Sequence, residues 1–527
     1  MFYFIDEGSV NEDMVYSITQ YLNRAANSFP NKIALIDENH SVTYKEYLNT
    51  AKKIATFLKK MDEGGQKDNV VGKPVAVLID RNIESIISFM GCTYSGNFYA
   101  PIDASMPAER IRLMLNILQP MCIINSTYDE TVLKNEIYCS YTTVDYFKMI
   151  QDTEQADDEY INASVSKIID TDPLYVMFTS GSTGIPKGVV KSHRGVIDFA
   201  EQFKKTFGFD EGCIFGNQAP FDFDVSAKDI YSALVNMATL VVIPRRCFVI
   251  PASLIDFINE YHINILSWAA SALRIVQNFD AFKINRPNHL KQVLFSGEAV
   301  SIKVLNYWKS HLPDVRFINL YGSTEIAFNC TYHIIEKKYM DDEHIPIGKA
   351  FSNSRVFLCD EKNNVITKTH EIGEIYVEGS CLALGYYNNK DATNEAFITD
   401  GKNQEFYRRY YKTGDLAYYN ENKDLVFVSR KDSQIKHMGH RIELGEIEIA
   451  VNAIPEIQAV CCLFDKDRSK IICCYQADND IKKHIVTCLS TKLPKYMWPN
   501  IYVFYDKLPL NKNGKIDRQL LKRENIK

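Results

Sequence analysis

Ten consecutive residues carry the densest chemistry in the chain: Thr179-Ser180-Gly181-Ser182-Thr183-Gly184-Ile185-Pro186-Lys187-Gly188. They follow an apolar run, Leu174–Phe178, that reads as a buried strand. Glycines let backbone amides turn toward an anion, hydroxyls donate to phosphate oxygens, and a lysine adds positive charge. A bare Ser/Gly turn would need neither the lysine nor four hydroxyls. The segment therefore reads as a phosphate-binding loop.

The spacing excludes several better-known anion loops. No Gly-Lys pair is followed by Ser or Thr, so the Walker pattern fails. There is no GxGxxG, HExxH or GxSxG, which removes dinucleotide-binding, zincin and α/β-hydrolase readings. With 60 basic and 66 acidic residues the net charge is −6, which offers no basic excess for a nucleic-acid backbone. Apolar residues at 46% and charged residues at 24% describe an ordinary globular chain. The thirteen cysteines form no CxxC and no zinc-ligand cluster, and they read as packed free thiols of a reducing compartment. The start, Met1 to Asp13, lacks the basic flank of a signal peptide, and no apolar run reaches membrane-spanning length. A cytoplasmic enzyme with no membrane or nucleic-acid partner is the expectation.

Further motifs follow in order. They are Asn319-Leu320-Tyr321-Gly322-Ser323-Thr324-Glu325 and Tyr411-Lys412-Thr413-Gly414-Asp415, then Ser429–Lys436 with Gly439-His440-Arg441-Ile442-Glu443, and last Leu508–Arg518 around Asn513-Gly514-Lys515. Together with the phosphate loop, these resemble the signature motifs of the adenylate-forming superfamily. That group holds acyl-CoA synthetases, luciferases and nonribosomal-peptide adenylation domains. The similarity is strongest to amino-acid-activating members, including D-alanine–carrier protein ligases, and it spans nearly the whole chain.

The resemblance implies roles residue by residue. ATP and Mg2+ would be the cofactors. Thr179, Ser180, Gly181, Ser182, Thr183, Gly184 and Lys187 would cradle phosphates. Gly297, Glu298, Ala299, Leu320, Gly322, Ser323 and Phe427 would help bind the nucleotide, with Tyr321 supplying a face for the adenine and Asn319 an amide for its edge. Asp415 would accept both ribose hydroxyls, since a carboxylate has two oxygens to offer. Arg430 would assist at ribose or phosphate. Thr324 would donate to the α-phosphate, and Glu325 would hold the magnesium. Lys515 would bridge the substrate carboxylate and the α-phosphate, stabilising developing negative charge.

Phe221-Asp222-Phe223-Asp224 follows an apolar turn. Asp224 matches the acid that pairs with the substrate ammonium in amino-acid-activating relatives; as a residue type alone it would equally suit a helix N-cap. The remaining pocket positions implied are Val225, Lys228, Ser267, Leu294, Ser296, Leu320, Phe328 and Asn329. Lys228 either meets an acidic or polar substrate side chain or points to solvent. Ser267-Trp268-Ala269-Ala270-Ser271 lacks the prolines usual in that loop, and Met438 stands where many relatives carry arginine.

These residues must be positioned by an α/β scaffold. Apolar strands at Pro74–Asp80, Phe98–Ile102 and Met121–Asn125 alternate with helical patterns at Tyr44–Met61, Asn82–Gly96 and Ala108–Leu118. That is a doubly wound pattern. Lys32–Asp37 and Ser41–Thr43 read as a strand pair, and Asp152–Tyr160 as an acidic surface excursion. Shorter strands from about Phe351 suit a small β-barrel-like subdomain. A small mobile α+β domain then follows, with a hairpin at Ala459–Phe464 and Lys470–Gln476 and a helix at Ile481–Leu493. The expected division is 1–430, binding ATP and acid, and 431–527, carrying Lys515, with Asp432 as the hinge. Gly439 would line the thiol tunnel after rotation. The expected reaction forms aminoacyl-AMP and pyrophosphate, then loads the phosphopantetheine thiol of a separate carrier protein. An acyl or aryl acid–CoA ligase and a noncatalytic ATP-binding module are the alternatives.

Overall fold

The structure is a computed structural model that describes residues 14–62, 72–181, 183–340, 343–400, 407–432, 434–511 and 516–526. Two large, mostly parallel sheets dominate it. One has seven strands, ordered Gly385–Tyr386, Lys187–Ser192, Pro173–Thr179, Phe98–Asp103, Pro74–Ile79, Cys122–Asn125 and Thr143–Asp145. The other has nine and runs from Lys349–Ala350 through Thr331–Ile334, Arg316–Tyr321, Gln292–Ser296, Ile265–Ala269, Ile214–Asn217 and Thr239–Val242 to Ile33–Ile36 and Ser41–Thr43.

Burial on both faces explains why these strands read as continuous apolar runs. In Pro74–Ile79, Val75, Val77 and Ile79 enter one core while Ala76 and Leu78 enter another. In Thr239–Val242, Leu240 and Val242 face the first core and Val241 the opposite one. The shared core holds the helices Tyr44–Asp62, Ile83–Tyr94, His193–Phe207 and Asp224–Val235, with side chains from both sheets. Every residue of Ile83–Tyr94 is buried, and Asn82 caps it by accepting the Ser85 N–H at 3.0 Å.

The expected doubly wound architecture is present, with two differences. The pair Ile33–Ile36 and Ser41–Thr43 does form, but it joins the sheet built from residues 214–350, pairing in parallel with Thr239–Val242. The acidic stretch at 152–160 is not wholly an excursion. Asp157 caps a helix, Asp158–Val165, accepting the Tyr160 N–H at 3.0 Å, and Ile161 is buried beneath it. Lys52 and Lys59 balance the acids at 2.7 and 2.9 Å.

Beyond the large sheets lies an antiparallel sheet of six strands. Its long strand Arg408–Tyr419 pairs with Gly373–Gly379, Phe397–Asp400 and Leu425–Arg430. This is the form the expected barrel-like subdomain takes. Next come a two-stranded hairpin, Gln434–His437 with His440–Glu443, and a three-stranded sheet of Ala459–Asp465, Lys470–Gln476 and Ile501–Tyr505. The helices Leu444–Asn452 and Lys482–Lys492 close a separate small core around Ile447, Cys473 and Leu489. Of the cysteines, all but Cys139 and Cys488 are buried, and none is bonded to another. No helix among the described residues is long and apolar enough to cross a membrane.

Candidate active site

The carboxyl ends of the parallel strands gather the motif residues, the usual place for ligands on open α/β sheets. Two adjoining cavities form there. The larger, about 1040 Å³, is lined by Gly297, Glu298, Ala299, Asn319, Leu320, Tyr321, Gly322, Asp415, Phe427, Arg430 and Asp432 among others. The smaller, about 100 Å³, is lined by Thr179, Ser180, Asp224, Val225, Lys228, Ser296, Ser323, Thr324, Phe328 and Asn329. Gly297, Gly322, Asp415, Arg430, Gln434 and Lys436 border both. Many of the residues expected around a nucleotide and those expected around an acid thus line neighbouring spaces that share a wall.

At the nucleotide side Asp415 is buried and doubly held. Tyr321 donates its hydroxyl to one oxygen and Arg430 an N–H to the other, both at 2.6 Å. Arg430 also reaches Asp432 with Nε and Nη2, at 2.7 and 2.6 Å. The hinge candidate and the ribose candidate are therefore joined by one guanidinium. Lys436 lies 5.8 Å from the centre of the Tyr321 ring. Asn319 donates to the Pro346 carbonyl at 2.8 Å.

The phosphate loop turns on tight backbone contacts. A Cβ on Gly181 would stand 2.0 Å from the Ile185 carbonyl oxygen, a contact only glycine avoids. Ser180 donates its hydroxyl to the Arg441 carbonyl at 2.8 Å. Gly184 lies against Ile449, and Lys187 reaches over the Tyr386 ring at 5.2 Å. Gly181, Thr183, Gly184 and Lys187 border neither cavity. Ser182 and Lys515 lie outside the described residues.

Glu325 is 1% exposed. Tyr386 donates to its Oε1 at 2.8 Å, and Arg441 pairs with Oε2 at 2.5 Å. Burial alone would raise its pKa, but Arg441 and the Tyr386 hydroxyl outweigh burial and hold the carboxyl at about 2. Among the described residues no cluster of three His, Cys, Asp or Glu could hold a metal. A single hard carboxylate beside a phosphate loop nonetheless fits a magnesium ion, which takes most of its ligands from phosphate and water. In the present arrangement both Glu325 oxygens are engaged, Oε1 by Tyr386 and Oε2 by Arg441.

Arg441 belongs to the hairpin Gln434–Glu443, whose insertion into the site is the main feature not read from the sequence. The turn residues Met438 and Gly439 have φ of 52° and 82°, as a primed hairpin turn requires. Gly439 borders the acid cavity and approaches Ala269. His440 stacks on Tyr496 with ring centres 3.7 Å apart and meets Phe223 edge-on at 4.3 Å. Arg110 and Glu446 form a further buried ion pair across the same junction. The sequence signal for these contacts was the Gly-His-Arg run itself, but not which residues it would touch.

In the acid cavity Asp224 opens the helix Asp224–Val235 yet does not cap it. Its Oδ1 accepts the Tyr175 hydroxyl at 2.7 Å and its Oδ2 faces Lys191 Nζ at 3.5 Å. Tyr175 and Lys191 are direct cross-strand partners, which aims both at the same carboxylate. Burial raises the Asp224 pKa and lowers that of Lys191, each opposed by the other's charge. Lys228 does not point to solvent: it is 1% exposed and donates to Asn329 Oδ1 at 3.2 Å and Ser296 Oγ at 3.5 Å. Ser267 and Leu294 are buried cross-strand partners outside both sets of lining residues. Lys191 and Tyr175 were missed as site residues; the signal was a lysine ending the apolar strand Gly-Val-Val-Lys.

A family described as "AMP-binding enzyme" matches residues 22–387. Tyrocidine synthase 1 of Brevibacillus parabrevis is 29% identical over 513 residues, 96% of this chain and 45% of that protein. Bacitracin synthase 1 of Bacillus licheniformis is 31% identical over 499 residues, 93% of this chain and 9% of that protein. The chain thus spans less than half the length of these relatives. Among solved structures, holo-PA1221, an NRPS protein containing adenylation and PCP domains bound to a vinylsulfonamide inhibitor, superposes with a TM-score of 0.81 at 25% identity, covering 97% of this chain and 84% of that one. The Vibrio cholerae adenylation domain AlmE, solved with glycyl-adenosine-5'-phosphate, gives a TM-score of 0.81 at 20% identity over 99% of both chains, a likeness of fold. With two thirds of its length matched, the chain belongs to the AMP-binding enzymes of the adenylate-forming superfamily.

Proposed function

We propose that the chain activates an amino acid as its aminoacyl-adenylate, releasing pyrophosphate, and passes the aminoacyl group to the phosphopantetheine thiol of a separate carrier protein. The observation that carries this reading is the junction of the two cavities at Gly297, Gly322, Asp415 and Arg430. An acid in the small cavity and a nucleotide in the large one would bring carboxylate and α-phosphate together, which adenylation requires.

In this reading residues 1–430 bind the substrates and residues 431–527 form a domain that turns about Asp432. Asp415 and Arg430 fix the ribose, Thr324 donates to the α-phosphate and Asp224 faces the amino group. Lys515 supplies charge at the reacting carboxylate. Magnesium, when held at Glu325, offsets phosphate charge. The hairpin at the acid cavity, with Gly439 at its tip, supports a second arrangement in which a pantetheine arm enters past a residue without a side chain. Its Arg441 then takes over Glu325 once pyrophosphate has gone.

The test is ATP–pyrophosphate exchange over a panel of amino acids, followed by loading of a phosphopantetheinyl carrier protein. Exchange that requires an amino acid, with subsequent loading, supports the proposal. Transfer to free coenzyme A with no carrier loading would replace the second half, and exchange confined to acyl or aryl acids would replace the first.

A further inference from the structure

We infer that the acid pocket selects a substrate bearing a second anionic group, held by Lys228, and that Lys191 sets this requirement by occupying the counter-charge of Asp224. The inference rests on the amino-acid reading above and deepens it: the substrate class becomes an amino acid with an acidic side chain.

Two lysines are buried around the small cavity: Lys228 lines it, and Lys191 stands behind its Asp224. Lys191 already pairs with Asp224 at 3.5 Å, and Tyr175 donates to the other oxygen at 2.7 Å. Lys228 joins no ion pair among the described residues; both acceptors it reaches, Asn329 Oδ1 and Ser296 Oγ, are neutral. An ammonium has three N–H donors, so one donor has no acceptor here, and the charge meets Asp229 and Asp224 only from beyond ion-pair distance. A buried charge without a partner is costly, and such groups are paired or await a ligand.

The neighbouring acids do not close the account. Asp229 accepts from Asn217 Nδ2 at 3.1 Å, and burial pushes its pKa up to about 7 against the opposing charge of Lys228, which it does not reach as an ion pair. Asp222 borders the cavity, but burial also pushes it up to about 7. Burial lowers Lys228 itself to about 8, so it stays mostly protonated at neutral pH. Asp224 already faces Lys191 at 3.5 Å, which leaves Lys228 as the lysine of the two with no carboxylate within ion-pair distance among the described residues. A second carboxylate entering the cavity would take the open donor of Lys228 and supply the close counter-charge it lacks. The cavity of about 100 Å³ has room for a short side chain.

The experiment is a pyrophosphate-exchange panel with the full chain: aspartate and glutamate, their amides, leucine and alanine, and the amine-free acids succinate and glutarate. It is run with the wild type and with Lys228→Met. We expect an acidic amino acid to give the highest kcat/KM. Lys228→Met should lower that value about 100-fold while raising the matching amide or apolar substrate relative to it. A lysine with only a structural role would lower all substrates alike, and that pattern overturns the inference. A wild type that prefers neutral side chains also overturns it, without variants, and leaves the adenylating reading standing. Activation of succinate or glutarate without their amino counterparts keeps the role of Lys228 and overturns the amino-acid reading. No exchange with any acid overturns both.

Discussion

At the residue scale the site is a set of charges that hold one another in place. Glu325 is kept ionised by Arg441, so removing Arg441 leaves a buried carboxylate without its partner, which typically costs about 3–5 kcal/mol. Because the pair spans the hairpin and the large sheets, the cost falls on this arrangement of the two parts. Arg441→Met should slow carrier loading at least about tenfold and change pyrophosphate exchange much less; equal losses in both assays would contradict that division. Gly181→Ala places a methyl against the Ile185 carbonyl and should abolish nucleotide binding with little change in melting temperature. Isothermal titration of ATP beside a thermal melt checks it. Asp224→Asn should raise the KM for the amino acid and spare ATP binding. Asp224 could be named from the sequence because an acid after Phe221-Asp222-Phe223 matches a motif. Its partner Lys191 could not, because only the register that sets Tyr175 beside Lys191 reveals that both reach it.

At the scale of elements, the local patterns were legible where burial imposes a period. Pro74–Ile79 and Ala108–Leu118 lie where their apolar spacing puts them. Which strands become neighbours was not legible. Ile33–Ile36 pairs with Thr239–Val242, about two hundred residues away, and nothing local encodes so distant a partner. The same holds for the hairpin Gln434–Glu443, whose own turn is readable but whose seat between Phe223 and Tyr496 is not. That seat carries a pH dependence. Burial, with His437 and Arg245 nearby, lowers His440 to about 3, so the docked ring is neutral. Released, it would titrate near 6.5. The released form then binds the extra proton, so docking is at full strength above about pH 6.5 and weakens as pH falls from there toward 3. Carrier loading should therefore fall below pH 6.5 more steeply than exchange does, and His440→Phe should flatten the difference. Parallel pH profiles of the two assays test it.

At the scale of the whole molecule, the two parts meet in one arrangement that suits one half of the proposed chemistry. With the hairpin at the acid cavity, Arg441 holds the Glu325 oxygen Oε2. In the proposed reaction the small part would turn to free that oxygen for adenylation. Asp432, tied to Arg430 and accepting the Gln434 N–H at 3.1 Å, stands where the chain leaves the six-stranded sheet for the hairpin. Asp432→Pro fixes φ near −65° and should impair one half-reaction while sparing the other. The central claim, that this chain adenylates an amino acid with Lys515 at the reacting carboxylate, is tested most directly by exchange of labelled pyrophosphate into ATP. The wild type should show exchange that depends on both an amino acid and magnesium, and Lys515→Ala should lose at least about 100-fold of it while still binding ATP. Exchange in the variant close to the wild-type rate, or none in the wild type with any amino acid, would contradict the account.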